Sequence, residues 1–411
     1  MDDHPTPRVS RRSFVQLAAG AGLGVGLAGS GLAQDPPRDA DGKIIPGFEK
    51  PQQDTDATGT AEAKSNRKIR VGIAGYGLCR MGAAFSFQDH PNVTVAAVTD
   101  LIPQNCAGLA QACRCNKTYA SCEEMLKDDS IEAVFVATDA PSHARLAIEA
   151  LNRGKHVASA VPAVFGADGL EQAEMLLQAV KKNDRKYVMF ETSSFHANCY
   201  DWRKKYAAGA FGKLIYSEGE YYHYFGTPLG GYNPKTRNVD PNGWRKGMPP
   251  QWYPTHSNAY YVSVSGGRFT RVSCLGMKSI VSHLQAVNND YNNPFGSEIA
   301  LMQTSEGGMS RMAVCWDMPS GGGEHGRVYG QKKVDTSRIT YPKPPLPNGV
   351  GGGGHGGSHG YLAHDFIESI LFDYRPTVGI EEALNMTVAG IMSHKSALKN
   401  GEWMTIPEFR L

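Results

Sequence analysis

The fold is decided by residues 69–82, which read IRVGIAGYGLCRMG. The first six residues are mostly apolar and predict a β-strand, and the glycines that follow predict a tight turn into a helix. Gly75 permits the turn, and Gly77 lets the backbone approach a phosphate, as in the dinucleotide-binding fingerprint. The third glycine of that fingerprint is replaced by Arg80, with Gly82 two residues later. Strand, turn and helix together predict a parallel sheet that binds a dinucleotide.

The second predicted strand ends at Asp100, close to where the fingerprint places a ribose-binding carboxylate. A carboxylate there binds the ribose hydroxyls and repels a 2′-phosphate, so NAD is favoured over NADP. Arg80 argues the other way, because a guanidinium would accept that phosphate. Asp100 could also be an ordinary cap or turn residue. The residues of this region predicted to contact the cofactor are Gly75, Gly77, Leu78, Cys79, Arg80 and Asp100.

Short apolar runs alternate with helical stretches as far as residue 190, which indicates βαβ units and an α/β fold. Predicted strands begin near 69, 93, 133, 157 and 188, and predicted helices span 103–113, 121–127, 141–153 and 167–182. After 191 the apolar runs follow one another with little helix between, at 215–225, 271–280, 298–304 and 309–316, before helices at 361–372 and 380–399. We expect a Rossmann dinucleotide-binding domain at 67–190 and an α+β substrate domain at 191–411, with a mostly antiparallel sheet and C-terminal helices.

The N-terminus has the pattern of a twin-arginine export signal. Arg11 and Arg12 precede an uncharged, Gly- and Ala-rich apolar stretch that ends at Ala33. We therefore expect a signal peptide at 1–33, a disordered linker at 34–66 rich in Pro, Asp and Thr, and a periplasmic location. The stretch is too short and Gly-rich for a stable membrane anchor. Charges nearly cancel, with Lys+Arg 42 against Asp+Glu 40, and no long run of like charge indicates nucleic-acid binding.

From 67 to 411 the chain resembles the Gfo/Idh/MocA family of sugar and cyclitol oxidoreductases. The resemblance rests on Thr138 with His143 five residues later and on Gly154-Lys155-His156-Val157. It implies that Thr138, His143, Val161 and Pro162 contact the cofactor. Glu191 ends a predicted strand of the parallel sheet, at the edge where open α/β folds bind ligands, so it could contact the nicotinamide ribose or a substrate hydroxyl. The family's Glu-Lys-Pro is replaced by Ala160-Val161-Pro162, so the usual charged donor beside the nicotinamide is lost.

Within that family the chain is most similar to the NAD-dependent α-N-acetylgalactosaminidases, which also carry Val before this Pro. The segments that carry this resemblance are Glu191–Phe195, Glu218–Tyr221, Trp244–Arg245, Tyr253–His256 and Gly354–Gly357. After His256 the branch's Gly-Leu-Gly-Pro is replaced by residues 257–260, SNAY. The resemblance therefore does not imply that this chain acts on the same substrate.

The predicted catalytic residues are His256, Tyr253 and Tyr221. A near-neutral pKa would suit His256 to take a proton from a sugar hydroxyl, with Tyr253 orienting the same oxygen. Structural roles are the alternatives: a capping histidine, an aromatic contact, and a buried carboxylate for Glu191. The residues predicted to bind substrate are Glu191, Tyr221, His223, Trp244, Arg245, Tyr253, His256 and His355.

Two details of this site stay open in the sequence. Residues 221–224 alternate between the two faces of a strand, and the pattern does not say which pair faces the substrate. His355 and His359 lie in a Gly-rich stretch, where we expect a loop that closes over the sugar and no metal site.

We expect an NAD-dependent oxidoreductase that acts on a ring carbon of a sugar or glycoside. Because free NAD should be scarce outside the cytoplasm, the reaction should be redox-neutral with NAD retained. One alternative is a glycosidase that works by oxidation, elimination, addition and reduction, and a second is a non-catalytic sugar-binding protein. Expected partners are the sugar and the twin-arginine export machinery, and the C-terminal sheet is a candidate surface for a homo-oligomer.

Overall fold

A computed structural model describes residues 64–225, 231–232, 239–240, 243–319 and 322–411. The predicted export signal, and the predicted linker up to residue 63, lie outside the described residues. Within the described ranges, no helix is long and apolar enough to cross a membrane.

The first sheet has six parallel strands in the order β3-β2-β1-β4-β5-β6. This is the strand order of a dinucleotide-binding Rossmann fold, so that part of the prediction is confirmed. The apolar runs form strands here because helices cover both faces of the sheet. The strands are β1 (Ile69–Ala74), β2 (Val93–Thr99), β3 (Thr118–Tyr119), β4 (Ala133–Val136), β5 (His156–Ser159) and β6 (Tyr187–Met189).

The helices that connect these strands are α1 (Met81–Ala84), α2 (Pro103–Ala112), α3 (Cys122–Leu126), α4 (His143–Asn152) and α5 (Gly169–Asn183). The helix predicted after the glycine loop is only four residues long. The chain leaves it through Ser86 in a left-handed conformation (φ 58°), and this bend buries Phe85 and Phe87 in the core. Pro141 lies in a 3-10 turn that precedes α4 and not within that helix.

The second sheet has the order β13-β7-β12-β11-β10-β14, and all its pairs are antiparallel except β12 with β7. The mostly antiparallel prediction is therefore confirmed. Residues 231–232 (β8) and 239–240 (β9) form a separate small hairpin. The strands of the second sheet are β7 (Leu214–Tyr222), β10 (Phe269–Lys278), β11 (Phe295–Thr304), β12 (Met309–Cys315), β13 (Gly323–Gly330) and β14 (Met404–Thr405).

Little helix was expected between the apolar runs at 215–316, but an eleven-residue helix at 255–265 lies between the first two of them. The remaining helices are α6 (Ala197–Ala207), α7 (Thr255–Ser265), a short turn α8 (Gly354–Gly357), α9 (His359–Leu371) and α10 (Ile380–Ala397). Ten of the eleven residues of α7 are buried, so the helix has no polar face that a periodic pattern could reveal.

The hydrophobic core crosses the predicted boundary at residue 190. Phe366 of α9 packs against Phe87 and Phe190 in the core of the first sheet. Helix α10 packs against β10 of the second sheet and also against α5 of the first domain. The two sheets are therefore joined by the C-terminal helices, and the space between them forms the site.

Candidate active site

A cavity of about 400 Å³ lies between the carboxyl ends of the first sheet's strands and the inner face of the second sheet. Open α/β sheets bind ligands at that edge. Most of the residues that the sequence singled out line it. They are Gly75, Gly77, Leu78, Cys79, Arg80, Asp100, Thr138, His143, Val161, Tyr221, His223, Trp244, Arg245, Tyr253, His256 and His355.

The glycine loop shows why the third fingerprint position need not be glycine. Gly75 has φ +105°, and a Cβ there would lie 2.2 Å from the Ala137 carbonyl oxygen. A Cβ on Gly82 would lie 2.2 Å from the carbonyl oxygen of Gly75, so Gly82 provides the close packing that the third glycine normally allows. A Cβ on Gly77 would meet no atom within 4 Å, because Gly77 faces open space at the cavity wall. The loop therefore leaves room for a dinucleotide backbone.

Asp100 joins the glycine loop to the end of β2. Its carboxylate accepts hydrogen bonds from the Tyr76 N–H (2.6 Å) and the Ile102 N–H (2.8 Å). Asp100 therefore also acts as a turn residue, which was the alternative interpretation from the sequence. Each carboxylate oxygen keeps a further lone pair, and Asp100 lines the cavity, which fits a ribose hydroxyl pair.

The strand ends on the other side of the glycine loop are held by His143, which is buried. Its Nδ1 lies 2.9 Å from the Pro162 carbonyl oxygen and its Nε2 lies 3.3 Å from the Thr138 carbonyl oxygen. Burial lowers the pKa of His143, so the ring is neutral. Val161 lines the cavity, whereas Pro162 does not and serves through its carbonyl. No lysine of the described residues lines this cavity.

His256, the second residue of α7, is only 4% exposed yet reaches the cavity wall. Its Nδ1 lies 2.8 Å from Glu191 Oε1 and 3.7 Å from Glu324 Oε1. Burial lowers the pKa of His256, but the two carboxylates raise it more, to about 9. The expectation of a near-neutral pKa was therefore wrong, because the sequence did not reveal that two carboxylates with little solvent exposure, Glu191 and Glu324, lie close to the ring.

Glu191 lies behind His256 and is fully buried. Its Oε1 also accepts a hydrogen bond from the Ser193 N–H (2.9 Å), whereas its Oε2 is buried and has no hydrogen-bond partner among the residues that the structure describes. Glu191 is not on the cavity wall, so the geometry does not support the predicted contact with ribose or a sugar hydroxyl. It positions His256 instead.

The strand question left open by the sequence is resolved in favour of Tyr221 and His223, which face the cavity, while Tyr222 and Tyr224 do not line it. The Tyr221 ring lies 4.6 Å from that of His256, and the Tyr253 ring lies 5.7 Å from it. Burial raises the pKa of both tyrosines, so both are neutral phenols at the site.

Aromatic side chains that no sequence pattern indicated complete the part of the cavity wall that the second domain forms. Trp316 stacks on Phe225 at 4.6 Å and 6°, and its indole N–H donates to the Met248 carbonyl oxygen (2.8 Å). The Arg245 guanidinium lies 4.0 Å from the Trp244 ring. Burial raises the pKa of the Cys79 thiol in the glycine loop, and the positive charge of Arg245 opposes this rise. Residues of both domains thus meet across the cavity.

His355 lies in a left-handed conformation (φ 49°) in α8, not in a regular helix. Its Nδ1 is 2.7 Å from His359 Nε2, and burial together with the neighbouring His355 lowers the pKa of His359 to about 3.

The donor atoms of Glu191, His256 and Glu324 lie within 4.8 Å of one another, a spacing that a metal ion could also use. The 2.8 Å contact between His256 and Glu191 is a normal hydrogen-bond length.

Comparison with known proteins agrees with this architecture. Residues 69–191 match the family described as "Oxidoreductase family, NAD-binding Rossmann fold". A "Glycosyl hydrolase family 109 protein" of Saccharopolyspora erythraea is 23% identical over 99% of this chain and 95% of its own length, and one of Solibacter usitatus is 23% identical over 98% and 97%. A further such protein of Bacteroides fragilis is 28% identical but aligns over only 35% of its own length.

Solved structures share the fold at low sequence identity. Levoglucosan dehydrogenase in complex with NADH and levoglucosan has a TM-score of 0.64 at 15% identity, and covers 83% of this chain and 100% of its own. The scyllo-inositol dehydrogenase of Lactobacillus casei has a TM-score of 0.62 at 17% identity, with 83% and 99% covered. Residues 69–191 therefore match the NAD-binding domain of the Gfo/Idh/MocA oxidoreductase family, the chain has the two-sheet fold of the dehydrogenase structures, and glycosyl hydrolase family 109 proteins are among its relatives.

Proposed function

We propose that the protein is an NAD-dependent enzyme that oxidises a ring carbon of a sugar or glycoside. The observation that carries this proposal is that one cavity brings the dinucleotide loop, through Gly77 and Asp100, together with the His256, Tyr253 and Tyr221 side chains. Bound NAD would supply the two-electron acceptor beside the sugar carbon. Gly75, Gly77 and Asp100 would hold it, and the neutral His143 fixes the strand ends beside it.

His256 exchanges the proton of the sugar hydroxyl. Its Nδ1 is held by Glu191, which leaves Nε2 for the ligand. Tyr221 and Tyr253 are neutral phenols that stack on each other beside the imidazole, and each can donate a hydrogen bond to a sugar oxygen. Trp316 and Trp244 offer apolar faces to the sugar ring, which excludes water from the reacting carbon.

Two observations favour glycoside cleavage as a second candidate function. Val161 replaces a charged donor on the cavity wall, and the relatives that align over nearly the whole chain are glycosyl hydrolase family 109 proteins. In that route, oxidation of a ring carbon acidifies the neighbouring C–H, so that a base can remove the proton and expel the leaving group.

A mass spectrum of the denatured protein tests the proposal, because a retained cofactor should leave as intact NAD in about equimolar amount. Turnover of aryl glycosides without added NAD then separates glycoside cleavage from plain sugar oxidation. A purified protein that neither carries nor binds NAD would favour a non-catalytic sugar-binding role.

We also propose export to the periplasm by the twin-arginine route, because the Arg11-Arg12 pair is followed by an uncharged apolar stretch. Folded export would load the cofactor before the protein leaves the cytoplasm. Replacing both arginines with lysine should leave the precursor in the cytoplasm, and normal periplasmic accumulation of that variant would rule the route out.

The outer face of the second sheet supports a further proposal, a homo-oligomer. Exposed apolar side chains lie side by side on its neighbouring strands, where Leu275 and Met277 of β10 lie beside Ile299 and Leu301 of β11. Contiguous apolar surface of this kind is typical of protein contacts. The mass of the purified protein in solution, compared with that of a Leu275→Glu variant, tests it.

A further inference from the structure

Glu324 is a largely buried carboxylate that no sequence pattern indicated. It is the second residue of β13, its side chain is 10% exposed, and it is not on the cavity wall. Its Oε2 accepts a hydrogen bond from the Ser193 hydroxyl (2.5 Å) and lies 3.4 Å from His196 Nε2. Its Oε1 lies 3.7 Å from His256 Nδ1. Glu324 therefore contacts the same ring nitrogen as Glu191, but from a strand of the second sheet, whereas Glu191 follows the last strand of the first sheet.

We propose that Glu324 is a positioning residue that acts with Glu191 to hold His256 as an imidazolium, with Nδ1 between the two carboxylates and Nε2 presented to the cavity. The inference rests on the proposed function, since it concerns the residue that exchanges the substrate proton. It adds a second carboxylate, from the second sheet, to a site that otherwise depends on Glu191 alone.

The charge balance of the buried cluster supports this assignment. The buried Glu191 carboxylate and the largely buried Glu324 carboxylate need positive partners, because an unpaired charge removed from water is costly. His256 lies between Glu191 and Glu324, and His196 lies on the far side of Glu324. Burial raises the pKa of Glu324, but the neighbouring histidines, His256 first, lower it more, to about 2. Glu324 is thus an anion throughout the physiological range.

The other groups around His256 do not replace this carboxylate. The neutral phenols of Tyr221 and Tyr253 carry no charge at neutral pH. The Thr192 hydroxyl lies 3.4 Å from His256 Nδ1 and is also uncharged. The His355 ring centroid lies 6.4 Å from that of His256. An imidazole carries no negative charge, so His355 cannot stabilise a positive charge on His256. Among the residues that the structure describes, Glu191 and Glu324 are the carboxylates within 4.0 Å of His256.

A test that does not depend on activity is the pH titration of His256 by NMR in protein with labelled histidine, its resonance being assigned by its loss in His256→Gln. Glu324→Gln should lower the His256 midpoint by about 1 pH unit or more, since one of two stabilising charges is removed. Glu324→Asp should recover part of that shift. Glu220→Gln is the control: its carboxylate pairs with Arg311 on the same sheet, outside the cavity lining, and should leave the midpoint unchanged.

His196→Gln provides a second variant if Glu324→Gln fails to fold. It removes the imidazole 3.4 Å from Glu324 Oε2 that shares this carboxylate with His256, so the His256 midpoint should stay as high or rise. An unchanged midpoint in folded Glu324→Gln would overturn the proposal. So would one equivalent of a metal ion in the purified protein that is lost in this variant. A shifted midpoint in a protein that oxidises no sugar would leave this inference standing and remove the proposed function.

Discussion

The charge state of His256 is set by residues that are far from it in sequence. Glu191 and Glu324 lie 65 positions before it and 68 after it, yet both approach Nδ1 because α7 packs between the end of the first sheet and β13. An exposed histidine in the same Tyr-Pro-Thr-His segment would titrate near 6.5. In the folded protein His256 is therefore protonated at neutral pH and is an acid, although the segment alone suggests a base.

This charge state predicts a pH dependence of sugar oxidation. A raised pKa keeps His256 protonated below about 9, and only the deprotonated ring can accept the hydroxyl proton. We expect kcat/KM to rise with pH up to a midpoint near 9. The midpoint should move to lower pH in Glu191→Gln. A profile that is flat between pH 6.5 and 9 would show that another group takes the proton.

The role of Asp100 predicts a change in cofactor preference. Asp100→Ala removes both an acceptor for the ribose hydroxyls and a charge that repels a 2′-phosphate. NAD should therefore bind about 10- to 100-fold more weakly, and the affinity for NADP should fall by a smaller factor. The variant also removes the amide contacts to Tyr76 and Ile102. Equal losses for NAD and NADP, measured by calorimetry, would mean that the loop was merely loosened.

Most of the site residues could be predicted because the chain carries them in short segments of fixed spacing. Asp100, Thr138 and His143 each follow a strand of the parallel sheet, so they lie together at the carboxyl edge of that sheet. Glu324 could not be found in this way. It lies in a Gly-rich strand without an apolar run, residues 323–330, and only the pairing of β13 with β7 brings it to His256.

Among the elements, α1 and the glycine loop depend on contact between backbones. The close approach of Gly82 to the Gly75 carbonyl explains why the fingerprint tolerates Arg80. The strands of the parallel sheet were predictable because burial on both faces demands unbroken apolar runs. Helix α7 was not, because almost complete burial removes the periodic contrast between polar and apolar positions.

The loop predicts different effects for two glycine-to-alanine variants. Gly82→Ala should lower the free energy of unfolding by about 1–3 kcal/mol, since its Cβ meets a backbone carbonyl that cannot move freely. Gly77→Ala should keep a free energy of unfolding within about 0.5 kcal/mol of the wild type, because its Cβ projects into open space. NAD binding should nevertheless be lost in Gly77→Ala. Tight NAD binding by that variant would place the dinucleotide elsewhere.

At the scale of the whole molecule, the cavity is built jointly by two domains that share one core. Helices α9 and α10 join the first sheet to the second, and Arg245 of the second domain lines the same cavity as Cys79 of the glycine loop. Such an enclosure suits a cofactor that stays bound through many turnovers. It also agrees with the proposed export, because a cofactor lost in the periplasm could not be replaced.

These features lead to the prediction that the overall reaction is redox-neutral. Temporary oxidation of a ring carbon acidifies the neighbouring C–H, so turnover in deuterated water should place deuterium on that neighbouring carbon. No NAD should need to be added, and no NADH should accumulate. NMR of the recovered sugar measures the incorporation, and Tyr222→Phe, outside the cavity wall, is the matched control for Tyr221→Phe.

The two tyrosine variants decide whether the exchange occurs in this cavity. Tyr221 lies beside His256, so Tyr221→Phe should slow deuterium incorporation, by about 10-fold or more if its hydroxyl takes part in proton transfer, while Tyr222→Phe should not. Stoichiometric release of NADH, with a keto-sugar as the only product and no deuterium in the sugar, would contradict a redox-neutral cycle. The site would then be that of a plain sugar dehydrogenase, and the loss of a charged donor at Val161 would have to be compensated by His256 and its two carboxylates alone.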